Sequence, residues 1–356
     1  MKLAIAGGGT GGHVFPAVAV AREWLGRGPE REVLLVGTER GMEARLVPEA
    51  GLPFAAIPVG GLKGIGGVRL LRNLALLAPA LAESNRILER NRFAAALGVG
   101  GYASGPFVLA AALAGVPTVI FEPNAEPGFT NRVLASVARR VATAYEATAA
   151  RLGSRAVVTG IPARPAFFAI APREHVAPFR VLITGGSQGS LVVNRTVIDS
   201  LDLLLPRKNQ LFLVHQSGER DYNAVRVAYA RREINAEVVP FISSMAEEFA
   251  RADLIVCRAG AITAAEVAAA GRAAIFIPFG AATDSHQLRN AQALERAGAA
   301  RVIPEPQLSP QRLVEEITSL LDHPERMREM EVRARSLSRP RAVADIVNLI
   351  EEVART

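Results

Sequence analysis

Short apolar runs recur along the chain, each followed by a turn rich in glycine or proline and then by a longer stretch with apolar positions at helical spacing. These runs predict strands at 3–6, 33–36, 54–57, 95–99, 118–121, 141–144 and 156–159 in the first half. In the second half the same rhythm predicts strands at 181–184, 211–214, 237–239, 254–257, 274–277 and 301–303. Helical stretches fall between them, including 70–89 and 105–114, and a short amphipathic helix at roughly 343–354 follows Pro340. In the helix after the first strand, Val14, Val18 and Leu25 are expected to share one side. Short strands alternating with helices argue for parallel, doubly wound sheets. Residues 160–178 hold four prolines and no clear period, and read as an ordered linker between two halves.

The first strand runs into Gly7, Gly8, Gly9, Thr10, Gly11 and Gly12, then His13 and a helical pattern. Residues 180–197 repeat that grammar of strand, glycine loop and helix. Such a turn aims backbone N–H groups and a helix N-terminus at an anion. Two anion-ready loops, one per half, predict an α/β protein of two Rossmann-like domains whose parallel sheets face each other across a cleft.

Composition narrows the class. A chain of 356 residues favours two domains, and 50% hydrophobic residues with 31 glycines suits a well-cored α/β enzyme. The net charge of +7 is carried by arginine, since only Lys2, Lys63 and Lys208 are lysines. A basic balance suits nucleic acid, an anionic membrane or phosphorylated substrates. With no long cationic run and no RNA-binding signature, nucleic acid is the weakest of the three. The lone cysteine, Cys257, excludes a disulfide framework and a thiolate metal site, and reads as a buried structural thiol. The first strand begins at residue 2, which leaves no room for a signal peptide, and no apolar run reaches the ~18 residues of a membrane span. The expected location is the cytoplasm or the cytoplasmic side of a membrane.

Gly7, Gly9 and Gly12 match the spacing of a dinucleotide fingerprint, with Glu39 in place of its ribose acid. The continuation into Gly11-Gly12-His13, and a second loop that is no such fingerprint, count against a dehydrogenase. Neither turn is followed by the Gly-Lys-Ser/Thr of a phosphate-binding P-loop. A third glycine loop, 98–105, follows the strand at 95–99, with tight strand–helix packing as its plain alternative. The densest polar cluster spans 258–266, where Ala261 and Ile262 sit at a helix start and Glu266 about a turn inside. Gln287 and Asn290 follow on the next helix. A carboxylate and an amide at the carboxyl ends of neighbouring strands suit the hydroxyls of a ribose and a sugar; the alternative is that Glu266 and Gln287 are ordinary solvated helix residues. The five histidines (His13, His175, His215, His286 and His323) lack ligand spacing, and no Asp-x-Asp occurs to hold Mg²⁺ against a diphosphate. No metal and no cofactor is expected, so helix N-termini and Arg164 would have to neutralise a nucleotide leaving group.

Ordered motifs along nearly the whole chain resemble the MurG family of UDP-N-acetylglucosamine transferases. Its carriers here are GGGTGGHVFPAVAVA, VGTERGMEARLVPEAG, GLKGIG, GVGGYASGP, EPNAEPG, GIPAR, ITGGSQGS, HQSG, FISSM, CRAGAITAAE and the Asp284-x-x-Gln287-x-x-Asn290 triplet. The resemblance implies the GT-B fold and a metal-independent, inverting transfer of GlcNAc from UDP-GlcNAc to the 4-hydroxyl of the muramyl sugar of lipid I. It implies an acceptor and membrane-facing domain at 1–160 plus 341–356, and a donor domain at 161–340. Thr10, Gly11, Gly12 and Asn124 are implied substrate contacts and count as donor-binding, the 10–12 loop also facing the acceptor's diphosphate. With them stand Arg164, Ser187, Ile242, Ala261, Ile262, Thr263, Ala264, Ala265, Glu266 and Gln287. By the same resemblance, Ile242 holds the uracil through its backbone, Glu266 the ribose, Gln287 the sugar, and Ser187 with the 261–262 N–H groups the diphosphate. Gly9, Gly100, Gly101 and Tyr102 are implied acceptor contacts. Residues 281–283 and Pro123 depart from the family's usual polar residues there.

His13 is the candidate general base, at a helix N-terminus whose dipole disfavours the imidazolium; Glu122 is the alternative, and a purely structural His13 the plainer one. The stretch 62–82 combines Lys63, Arg69 and Arg72 with a strongly apolar run, which suits an anionic membrane surface, a helix buried in the first domain being the alternative. The implied partners are UDP-GlcNAc, lipid I, the membrane's cytoplasmic face as a peripheral contact, and proteins of cell-wall synthesis. Rival readings are a GT-B transferase with another glycolipid acceptor, a UDP-GlcNAc epimerase of the same architecture, and a non-enzymatic sugar-nucleotide binding module.

Overall fold

The computed structural model describes residues 1–9, 11–60, 76–280 and 285–355. Thr10, most of the 62–82 stretch with Lys63, Arg69 and Arg72, and Asp284 lie outside the described residues. The chain divides into two compact units, Met1–Pro162 with Arg341–Thr356, and Ala163–Pro340. The cut therefore falls two residues beyond the expected one.

Unit 1 carries seven strands: β1 (Lys2–Ala6), β2 (Glu32–Gly37), β3 (Phe54–Ala56), β4 (Phe93–Gly98), β5 (Thr118–Glu122), β6 (Arg140–Thr143) and β7 (Ala156–Val158). They lie in the order β3-β2-β1-β4-β5-β6-β7, every neighbouring pair parallel. β1 sits at the centre, with Leu3 beside Val33 on one flank and Ala95 on the other. Central strands covered by helices on both faces read as near-continuous apolar runs, and β5 is buried at every position. Small residues suit this packing: Ala4, Ala6 and Ala96 of the sheet meet Phe107, Ala110 and Ala111 of the helix Ser104–Leu113.

The first helix, Gly11–Gly26, buries Val14, Ala17, Val20, Ala21 and Trp24, while Val18 and Leu25 are only half-buried. Small alanines, which hydrophobicity alone underrates, let the helix sit close to the sheet and decide its inward face. The terminal helix Ala342–Ala354 belongs to unit 1 and buries Ile346, Val347, Leu349, Ile350 and Val353. Arg27 donates to Asn348 Oδ1 (2.8 Å) and the Ala344 carbonyl (3.0 Å), and Glu351 pairs with Arg31 (2.7 Å) and Arg27 (3.1 Å).

Unit 2 carries six strands: β8 (Phe179–Thr184), β9 (Leu211–Gln216), β10 (Ala236–Val239), β11 (Leu254–Cys257), β12 (Ala273–Phe276) and β13 (Arg301–Val302). Their order is β10-β9-β8-β11-β12-β13, again all parallel. Cys257 is fully buried at the end of β11, and burial pushes its thiol's pKa well up, as a structural thiol requires.

From Ala163 onward, the stretch read as a linker is an integral part of unit 2. Phe167, on the short helix Pro165–Phe168, is fully buried and meets Phe249 edge-on at 4.9 Å; Ile170 and His175 are buried too. Four prolines removed the periodicity that a sequence reading needs, but not the apolar anchors.

Candidate active site

In a doubly wound sheet, ligands bind beyond the carboxyl ends of the strands where the winding reverses. Strand order places that point between β1 and β4 in unit 1, and between β8 and β11 in unit 2. Each of these strand pairs ends in glycine-bearing loops.

In unit 1 the loops after β1 and β4 pack on each other, with the Gly8 N–H donated to the Gly100 carbonyl (3.3 Å). Gly101 has φ +82°, and a Cβ there would run into the Gly8 backbone, so only glycine allows this approach. His13 is half-buried, and its Nδ1 lies 3.1 Å from the Gly8 carbonyl. A carbonyl only accepts, so Nδ1 carries a proton; in a neutral ring that tautomer is the one a general base needs, with the lone pair at Nε2. Gly9, Gly11, Gly12, Gly100, Gly101 and Tyr102 thus gather with His13 at one end of the sheet, Tyr102 being 53% exposed.

Glu122 closes β5 and is 1% exposed. Its Oε1 accepts from the backbone N–H and Nδ2 of Asn124, and its Oε2 from the Gly128 N–H and Asn131 Nδ2, all at 2.9 Å. Four donors occupy the roughly four lone-pair positions of a carboxylate. Glu122 is built as an anchor that folds the 122–131 loop, a role its sequence context does not announce.

A second carboxylate escaped the sequence reading. Glu43, 2% exposed, accepts from the Gly9 N–H at Oε2 (2.6 Å), and from the Thr38 N–H (2.9 Å) and hydroxyl (2.8 Å) at Oε1. Its neighbourhood of glycines was the available signal, since Gly37 and Gly41 flank it in sequence.

In unit 2, Ser187 lies exposed in the loop after β8. Gln216 ties that loop down: its Nε2 donates to the Gly186 carbonyl (2.8 Å) and Thr184 Oγ1 (3.2 Å), and its Oε1 accepts the Ile242 N–H (2.8 Å). The Ile242 N–H is therefore already engaged, while its residue stays beside the loop.

The helix Ala261–Ala270 opens directly after β11 with Gly260 as an N-cap that has no capping side chain. The N–H groups of Ala261, Ile262 and Thr263 belong to its first turn, where an intrahelical partner is lacking. Ala264 is buried and its N–H donates to the Gly260 carbonyl (2.9 Å), whereas Ala265 is half-buried.

Glu266 is 6% exposed, so it is not a solvated helix residue. Burial raises its pKa, against the opposing pull of Arg164, whose Nε donates to Oε1 at 2.6 Å. Arg164 is itself steadied over the Phe167 ring at 4.7 Å. Gln287, on the helix His286–Arg296, accepts the Phe279 N–H at Oε1 (3.0 Å).

Arg258, 8% exposed, braces this end of the sheet: it donates to Ser190 Oγ (2.6 Å), the Ile277 carbonyl (3.1 Å) and Glu305 (3.3 Å), and Glu305 also accepts the Gly280 N–H. Among the described residues no group of three or more His, Cys, Asp or Glu is placed to hold a metal ion.

Two parallel doubly wound sheets, each with paired glycine loops at its switch point, and in the second a buried carboxylate held by a half-exposed arginine, define a GT-B glycosyltransferase. Residues 3–143 match the glycosyltransferase family 28 N-terminal domain, and residues 180–347 its C-terminal domain. A transferase of Myxococcus xanthus, named UDP-N-acetylglucosamine--N-acetylmuramyl-(pentapeptide) pyrophosphoryl-undecaprenol N-acetylglucosamine transferase, is 47% identical over 98% of this chain and 92% of its own. A like-named protein of Anaeromyxobacter is 45% identical over the whole of this chain and 94% of its own. The crystal structure of Acinetobacter baumannii MurG, 35% identical, superposes with a TM-score of 0.82 over 99% of both chains. The chain belongs to glycosyltransferase family 28 and, within it, to the MurG transferases.

Proposed function

We propose that this enzyme transfers GlcNAc from UDP-GlcNAc to the 4-hydroxyl of the MurNAc sugar of undecaprenyl-pyrophosphoryl-MurNAc-pentapeptide, converting lipid I to lipid II with inversion. The observation that carries this reading is identity of 43–47% along nearly the whole chain to transferases whose names state that donor and acceptor.

His13 Nε2 takes the proton of the attacking hydroxyl as the new bond forms at the anomeric carbon and UDP departs. His13 is preferred to Glu122 because the Glu122 carboxylate is already occupied by four donors from its own loop. Glu266 receives the ribose hydroxyls while Arg164 holds its other oxygen, and Gln287 receives the sugar. Ile242 contacts the uracil through its backbone. Ser187 and the N–H groups at 261–263 take the diphosphate, which supports departure of UDP without a metal, as the missing Asp-x-Asp also suggests. In unit 1, Gly9, Gly100, Gly101 and Tyr102 are assigned to the acceptor, and Thr10, Gly11, Gly12 and Asn124 to the donor, with the 10–12 loop also assigned to the acceptor's diphosphate.

No helix among the described residues is long and apolar enough to cross a membrane. A peripheral contact with the cytoplasmic membrane face is proposed for the 62–82 stretch, on its basic and apolar sequence.

UDP release from UDP-GlcNAc, measured in excess EDTA with and without a lipid I analogue, tests the reading. Release should depend on the analogue and stay within a factor of about three of the EDTA-free rate, since no Lewis-acid contribution of several kcal/mol is being removed. Release or epimer formation without acceptor would overturn the assignment, and a collapse restored by Mg²⁺ would overturn metal independence.

A further inference from the structure

We infer that Glu43 is a positioning residue for the acceptor-side loop: it sets the Gly8–Gly9 backbone, and through the Gly8 carbonyl it sets the ring of His13. This rests on His13 being the base.

The geometry is specific. Glu43 is the first residue of the helix Glu43–Glu49 and turns its carboxylate back onto the turn after β1, where Oε2 accepts the Gly9 N–H at 2.6 Å. The other oxygen is tied to Thr38, just beyond β2, by the backbone N–H (2.9 Å) and the hydroxyl (2.8 Å). The carboxylate thus ties the end of β2 to the glycine turn of the neighbouring β1. Three glycines make the space for it: a Cβ at Gly8, Gly37 or Gly41 would run into the Glu43 side chain. A site that excludes every side chain from three directions around one carboxylate is built for that carboxylate. Burial works against the charge, yet the hydrogen bonds from Gly9 and Thr38 hold the pKa below the usual glutamate value, so the group acts as an anion.

The consequence lies one residue away. Gly8 contributes the carbonyl that accepts from His13 Nδ1 at 3.1 Å, and its own N–H is donated to the Gly100 carbonyl. With Gly9 held by Glu43 and Gly8 by Gly100, that carbonyl has one direction, and the imidazole keeps its proton at Nδ1. Release of Gly9 frees the peptide between Gly8 and Gly9 to rotate, which removes the acceptor that fixes the tautomer.

Glu43→Gln tests this, because the amide keeps the shape but carries one oxygen for two oxygens' worth of fixed backbone donors, the N–H groups of Gly9 and Thr38. Expected are a kcat lower by about ten- to a hundredfold, a displaced acid limb in the pH profile of kcat, and unchanged UDP affinity by calorimetry. The ¹⁵N shifts of the His13 ring should move from a single Nδ1–H form towards a tautomer mixture. Thr38→Val, which removes one donor and leaves the Gly9 bond, should lower the melting temperature but keep kcat and the pH profile; a purely structural Glu43 would make the two variants alike.

If Glu43→Gln does not fold, Glu43→Asp should show the same direction of change, since it keeps the charge and loses the reach to Gly9. His13→Ala with more than about a tenth of wild-type kcat would overturn the base reading and this inference with it. An inactive His13→Ala beside Glu43→Gln with wild-type rate, pH limb and ring shifts would overturn the role of Glu43 alone.

Discussion

At the scale of single residues, the site is defined by how much of each polar group the protein already occupies. Glu122 gives all its lone pairs to its own loop, Glu266 shares one oxygen with Arg164, and His13 Nδ1 meets the Gly8 carbonyl. The alanine variant of His13 should cut kcat by roughly 10²–10⁴-fold with UDP affinity intact and the melting temperature little changed. A histidine that merely closes the turn would cost stability and acceptor KM instead, so thermal melts beside steady-state kinetics separate the two. In the second unit, Glu266→Ala removes a buried acceptor and leaves Arg164 without its carboxylate. UDP binding should weaken by about 1–3 kcal/mol, the usual cost of losing a hydrogen bond to a charged group. Gln287→Ala should raise the donor KM while UDP binds nearly as well. Calorimetry that finds UDP affinity unchanged in Glu266→Ala would remove Glu266 from the donor site. The placement of Glu266 and Gln287 beyond the carboxyl ends of neighbouring strands was legible because each follows an apolar strand. Glu43 and Arg258 were not, since each acts on chain far from it in sequence: Gly9 for the one, Ser190, Ile277 and Glu305 for the other.

At the scale of elements, the strands were legible nearly residue by residue, because short apolar runs bounded by glycine leave few alternatives. What packs against them was less so. The helix Pro324–Ser336 is rich in charge; it buries Met327, Met330 and Ala334 in the core, and a buried ionic contact adds to that attachment. Glu331 on that helix lies 3.2 Å from His175 Nε2, and Asp253, just before β11, lies 2.9 Å from Nδ1. Burial alone would lower the His175 pKa, but hydrogen bonds to these two carboxylates raise it from 6.5 to about 9. A raised folded-state pKa contributes stability that is complete below pH 6.5 and lost as pH climbs through 9. The loss should total about 3.5 kcal/mol at most, because each tenfold gain in proton affinity on folding is worth about 1.4 kcal/mol. Thermal melts of the protein between pH 6 and 9.5 should show this decline, and His175→Gln should start less stable and lack that part of the slope. Equal slopes in the two proteins would show that His175 stays neutral. No reading of the 160–178 stretch as a linker anticipates this, since His175 acquires both partners from elements much later in the chain.

At the scale of the whole molecule, chain connectivity makes the two units unequal. Unit 2 is one continuous stretch, Ala163–Pro340, and its core clusters draw only on residues within it, from Ala163 to Ala334. Unit 1 is assembled from two pieces of chain, and the second piece supplies a helix whose apolar face is buried. That helix carries Glu351 to Arg27 and Arg31, and Glu352 to Arg140. A domain that owns its hydrophobic core can fold alone. A fragment of residues 163–340 should therefore unfold cooperatively by itself. The residues assigned to the uracil, ribose and diphosphate, Ser187, Ile242, Ala261, Ile262 and Glu266, lie inside it, as does Arg164. It should bind UDP within about tenfold of the full chain, a difference of about 1.4 kcal/mol, while showing no transfer. A fragment of residues 1–162, stripped of the terminal helix, exposes the surface that Ile346, Ile350 and Val353 cover and takes the Glu351 and Glu352 carboxylates away from Arg27, Arg31 and Arg140. It should melt far lower than the same fragment mixed with a peptide of residues 341–356, the peptide restoring the missing layer. Circular dichroism of the fragments and calorimetry with UDP decide the matter. A 163–340 fragment that folds but does not bind UDP would mean that unit 1 contributes to nucleotide recognition. A stable 1–162 fragment indifferent to the peptide would mean that the terminal helix is dispensable to the first sheet.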